Sequence, residues 1–162
     1  MLTVKIQGLR GGKPYSKTVA NSIAHAVNIM SKKLALNYHR GVLNIRLGRV
    51  TNKWIDGDAQ GTCIGEFKNG YWTIDIVLAR RKRFGLMLRT LAHEMIHAKQ
   101  YLKRDISTIR GFDAWRGKIW RIRKKADPYR DSPWEREAFS KELALARYCK
   151  KQMGLENEDL SV

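Results

Sequence analysis

The chain has 162 residues, 43% of them hydrophobic and 9% aromatic, which suits one domain with a real core and excludes a disordered polymer. Its 32 Lys and Arg stand against 15 Asp and Glu, giving a net charge of +17, and no acidic residue precedes Asp56. Every apolar run is broken by charge before the roughly 18 residues a membrane span needs, and two cysteines cannot build a disulfide framework.

The opening stretch, MLTVKIQGL, reads as a strand without the layout of a signal peptide, and GGKP then predicts a turn. From Ser16, a candidate N-cap, to about Leu36, the residues Val19, Ile23, Val27 and Met30 recur at helical spacing. VLNIRLGRV, over 42–50, alternates as a strand. TCIGEF and YWTIDIVLA flank Lys68-Asn69-Gly70, a hairpin signal because Asn and Gly accept the positive φ of a tight turn. In the second arm Trp72, Ile74, Ile76 and Leu78 share one face. A helix is expected from about Arg83 to Lys103. Residues 105–132, punctuated by Gly111, Gly117 and Pro128, read as an ordered connection with a short strand at Ile119–Arg123. Ser132 then caps, and Pro133 starts, a last helix running to about Gly154. These elements make one domain over 1–155, with 156–162 as a flexible acidic tail. Cys63 and Cys149 are expected to be buried reduced thiols, as in a cytoplasmic protein.

The helix over 83–103 carries TLAHEMIHAKQ, residues 90–100. Residues four apart on a helix lie one above the other, so His93 and His97 can aim their imidazoles at one ion from consecutive turns. Glu94 sits about 100° round from His93, beside such an ion without ligating it. Neutral imidazole suits zinc, and the spacing His-Glu-x-x-His supplies two ligands and a general base, Glu94. Thr90, Leu91, Ala92, Met95, Ile96 and Ala98 keep the surroundings uncharged, as a half-buried active helix requires.

Two histidines are one ligand short. His25 and His39 precede the motif and no histidine follows His97, so the third ligand should be a carboxylate on a later element. SPWEREAFSKEL offers Glu135 and Glu137, whose side chains point about 200° apart on a helix, so only one can face the site. Glu137 has Lys141 four residues on, a solvent-face pattern. Glu135 shares its face with Ala138, Phe139, Leu143 and Ala146, and a carboxylate on an apolar face needs a partner such as a metal. Glu135 is therefore favoured over Glu137, with Asp105, Asp113, Asp127 and Asp131 behind both.

On these residues the chain resembles the gluzincin branch of the zincin-like metallopeptidases. Glu135-Arg136-Glu137-Ala138 is similar to the Glu-x-x-Ala segment of that branch. The pattern from the hairpin through LAHEMIHAKQYLKR to PWEREA also resembles small metallopeptidase-domain proteins encoded by bacteriophages, over about residues 60–150. Two positions depart from the pattern. Lys99 stands where an apolar residue is usual, and Phe139 stands where an Asp or Asn often holds the first histidine.

The resemblance implies an α+β, zincin-like fold, with an N-terminal helix and a small twisted sheet packed on the motif helix. It implies a Zn2+ cofactor held by His93, His97 and Glu135, and hydrolysis of peptide bonds in a protein substrate with Glu94 as base. It places the protein in the cytoplasm, the host's if phage-encoded. Residues 71–79 would line the cleft and bind an extended peptide by strand addition. Tyr101, Tyr129 and Arg130 are the polar residues from which an oxyanion donor would come.

The charge supports a different reading. Arg80-Arg81-Lys82-Arg83 and Arg121-Ile122-Arg123-Lys124-Lys125 would attract nucleic acid without reading its sequence. The main alternative is thus a basic nucleic-acid-binding or structural protein whose zinc only staples the fold. A cell-wall amidase is a third, and no residue pattern sets the oligomeric state.

Overall fold

The computed structural model describes residues 1–8, 17–48, 60–79, 83–121, 127, 129–157 and 159–160. Strand β1 (Leu2–Gly8) is followed by helix α1 (Lys17–Lys33), which carries the chain back so that β2 (Gly41–Gly48) pairs parallel to β1. Helix α1 ends three residues before the expected Leu36. Ala35 turns left-handed at φ 58°, and Leu36–Tyr38 form a single 3-10 turn. Ser16, the GGKP turn, Arg49–Val50, Arg80–Lys82 and Ile122–Lys125 lie outside the described residues.

The expected hairpin is present: β3 (Gly61–Lys68) pairs antiparallel with β4 (Tyr71–Ala79) across Asn69 and Gly70, at φ 51° and 76°. The sheet runs β1-β2-β4-β3, with β2 and β4 parallel. This order corrects the role expected for residues 71–79. Strand β4 is hydrogen-bonded on both sides, by β2 and by β3, and cannot accept a further strand. Alternating hydrophobicity marks a buried face but not an edge. Among the described residues the edge strand next to the motif helix is β3.

One face of this sheet carries Leu43, Ile45 and Leu47 of β2 opposite Ile74, Ile76 and Leu78 of β4, all fully buried. Ile23, Val27 and Met30 of α1 join the same core, as do Leu88, Leu91 and Met95 of helix α2 (Phe84–Leu102). Helix α3 (Pro133–Gln152) packs mainly against α2 and also against α1, burying Ala138, Leu145, Ala146 and Cys149, whose Sγ lies 3.8 Å from the Ala26 carbonyl of α1. Pro133 opens α3 as expected, but the Ser132 hydroxyl donates to the Tyr129 carbonyl at 2.8 Å instead of capping the helix. Both cysteines are free, Cys149 buried and Cys63 half-buried.

The connection between α2 and α3 holds more structure than expected. Strands β5 (Ile106–Ile109), β6 (Phe112–Trp115) and β7 (Lys118–Ile119) form an antiparallel meander. The short strand expected at Ile119–Arg123 thus ends at Ile119, with Trp120 and Arg121 beyond it. Part of the segment expected as a loose tail is docked: Asp159 pairs with Arg83 at 3.1 Å, and Leu160 is buried. No helix among the described residues is long and apolar enough to cross a membrane.

Candidate metal centre

Helix α2 runs tightly beneath the edge strand because two positions of β3 lack side chains. A Cβ on Gly61 would meet Glu94 Oε1 at 2.7 Å and Thr90 Cγ2 at 2.8 Å, and one on Gly65 would run into the Tyr101 ring. Glycine within a strand often marks such a close approach. Here it lets the motif helix, and Glu94 in particular, lie directly against the strand.

His93 and His97 emerge from consecutive turns of α2, as their spacing dictates, with Nε2 atoms 3.1 Å apart. Glu135, in the first turn of α3, reaches both: its Oε2 lies 3.1 Å from His93 Nε2 and its Oε1 3.2 Å from His97 Nε2. All three residues are buried, and among the described residues they form a group able to hold a metal ion.

The other carboxylates are committed elsewhere. Glu137 accepts from Gln100 Nε2 at 2.9 Å and pairs with Lys141 and Arg116, much as its solvent-face pattern implies. Asp105 pairs with Arg116 at 3.4 Å, and Asp127 and Asp131 bond within their own turn. His25 is exposed and far along α1.

Each imidazole is fixed from behind. His93 Nδ1–H donates to Glu142 Oε2 at 2.7 Å, and Glu142 Oε1 accepts from Arg89 Nε, also at 2.7 Å. His97 Nδ1–H donates to Gln100 Oε1 at 2.7 Å, while the Gln100 amide donates to the Trp134 carbonyl at 3.0 Å. Donation from Nδ1 turns Nε2 of both rings into the cluster, and on His93 a metal would displace the Nε2 proton that otherwise bonds to Glu135. Glu142 thus does what Phe139 cannot. It lies seven residues beyond Glu135, two turns along the same face, while the Phe139 ring packs on His93 at 4.8 Å between centroids. Glu142, Gln100, Arg89 and Gly61 were not picked out from the sequence.

Burial and charge oppose one another in this cluster. Burial resists charging His93, but its hydrogen bonds to the Glu135 and Glu142 carboxylates raise its pKa to about 10. Burial likewise resists ionising Glu135, yet the bonds from both histidines hold it near 2. Glu94, which makes no such bonds among the described residues, is pushed up to about 7, chiefly by burial and against the pull of His97 and His93. Of the three residues considered as oxyanion donors, Tyr129 stands beside the cluster. Burial, then the charges of Glu135 and Glu94, raise its pKa, so its hydroxyl keeps its proton and bonds to Glu135. Tyr101 is instead wedged under Gly65, and the Arg130 backbone N–H donates to Asp127.

No protein-family model, curated protein or solved structure matches the chain.

Proposed function

We propose that this protein is a zinc-dependent peptidase with a zincin-like fold, holding zinc through His93, His97 and Glu135 and using Glu94 as general base. The observation that carries this reading is the convergence of three buried ligand residues, the two Nε2 atoms 3.1 Å apart and each within 3.1–3.2 Å of one Glu135 oxygen, beside a second buried carboxylate, Glu94. Around a tetrahedral ion with bonds of about 2.0–2.1 Å, ligand atoms stand about 3.3 Å apart, so the cluster would close on zinc with little movement. Two imidazoles and one carboxylate also suit zinc and leave the fourth position open. The order of elements supports the fold assignment: a mixed sheet with an antiparallel edge strand, then the motif helix, then the helix bearing the third ligand.

Zinc would supply Lewis acidity, polarising the scissile carbonyl and making water acidic enough to attack near neutral pH. The chain supplies the rest. The Glu94 carboxylate takes the proton of the attacking water and returns it to the leaving amine nitrogen. The Tyr129 hydroxyl, which keeps its proton beside the cluster, would turn from Glu135 to donate to the oxyanion. An extended substrate would add to the edge of β3 that is unpaired among the described residues, and its passage over Gly61 would bring the scissile bond above Glu94. Phe139, tilted against His93 and 44% exposed, with Tyr129 edge-on to it, offers a wall for an apolar substrate side chain.

The test is peptide hydrolysis by zinc-loaded wild type and Glu94→Gln. The reading expects cleavage that Glu94→Gln abolishes while zinc stays bound. A basic protein with a merely structural zinc would keep all its properties in Glu94→Gln, and that result would overturn the proposal.

A further inference from the structure

Lys99, the residue that breaks the metallopeptidase pattern, opens onto a cavity of about 170 Å³ behind the metal centre. Its floor is apolar, formed by Ile96 of α2 and Leu145 of α3, and its walls carry Lys99, Lys103, Arg116 and Lys141 against Asp105 and Glu137. The two carboxylates are already matched. Asp105 pairs with Arg116, and Glu137 pairs with Arg116 and Lys141. Lys99 and Lys103 form no ion pair among the described residues. Lys99 lies in the last turn of α2 and Lys103 is its C-cap, and burial, then the charges of Lys103 and Lys141, lower the Lys99 pKa against the pull of Glu137 and Asp105. The cavity thus gathers four cations against two carboxylates, an excess of positive charge over an apolar floor. The low dielectric of that floor also strengthens their pull on an anion.

We propose that this cavity binds a phosphate group, held by Lys99 and Lys103 with Arg116 and Lys141 at its rim. The group is either a free phosphate or phosphomonoester, or a phosphodiester of nucleic acid. The net +17 charge and the unpaired lysines favour an anionic occupant in both cases. The inference does not depend on the peptidase reading.

The experiment uses the full chain, titrated with inorganic phosphate and followed by amide chemical shifts. Beside it run a Lys99→Gln/Lys103→Gln version and a control, Lys5→Gln/Arg46→Gln, which removes the same charge from exposed positions of the sheet. We expect saturable shifts at residues 99–105, 116 and 141, weakened about tenfold or more in the cavity version and nearly unchanged in the control. A second titration uses a DNA duplex without terminal phosphates. If the cavity takes a phosphodiester, the cavity version lowers the slope of log affinity against log salt by about one to two, and the control lowers it less. Phosphate binding without such an effect on the duplex assigns the cavity to a free phosphate or monoester. Shifts confined to His93 and His97, scattered shifts, or equal losses in both versions overturn the proposal.

Discussion

Thirteen of the nineteen residues of α2 are buried against six of the twenty of α3, yet both helices send charge into the same centre. On α2 the ionisable groups interrupt an apolar surface, and the helix itself fixes their spacing. On α3 two of the six buried positions are glutamates, Glu135 and Glu142, and their reach to His93 depends on how the two helices dock. The contrast separates two jobs. Local geometry on α2 decides what chemistry the centre can do, whereas tertiary packing of α3 decides how firmly the centre is held.

Substitutions can break that division from either side. On the α2 side, Glu94→Gln should lower kcat by about 10²–10⁴-fold with zinc content unchanged, measured by steady-state hydrolysis beside metal analysis. Gly61→Ala presses a methyl group into the Glu94 carboxylate and the Thr90 side chain. It should lower kcat by up to about 10²-fold through misplacement of the base, again with one zinc retained. Loss of zinc from Gly61→Ala would show that the strand supports the ligands and not the base.

On the α3 side, Glu142→Gln keeps a hydrogen-bond acceptor for His93 but removes its charge. It should weaken zinc binding by about 10–100-fold, measured by chelator competition, with a smaller effect on kcat of the loaded enzyme.

A pH series sharpens the same point. In the metal-free chain His93 titrates near 10, so between pH 6 and 8 it carries a proton that zinc must displace. Apparent zinc affinity should therefore rise with pH, by about tenfold per unit for one proton released. A flat profile over that range would mean that Glu135 and Glu142 do not hold His93 protonated.

The two helices were also unequally legible in the sequence. The motif on α2 could be read directly, because i and i+4 meet on any helix. Glu135 followed from the helix that Pro133 starts and from the apolar face that the glutamate shares. Glu142 escaped because the expected support for His93 lay four residues beyond Glu135, at Phe139, whereas a helix repeats the same face again at seven. Gln100 and Arg89 escaped because a polar residue on an amphipathic helix ordinarily faces water. Gly61 did leave a trace, a glycine inside a strand pattern, which signals close backbone approach.

The fold shows the same limits. Asn69-Gly70 announced its hairpin, but the turns of the meander are Arg110-Gly111 and Arg116-Gly117, with arginines at φ 52° and 49° where Asn or Asp is the usual signal. Strand order was beyond reach, because alternation along β4 cannot tell a central strand from an edge.

The central claim is that one zinc sits between the two helices on His93, His97 and Glu135, and zinc content per chain tests it most directly. Wild type and Glu137→Ala should each carry about one zinc, and Glu135→Ala should lose it. Zinc retained by Glu135→Ala but lost from Glu137→Ala, or wild-type protein that takes up none, would contradict the account.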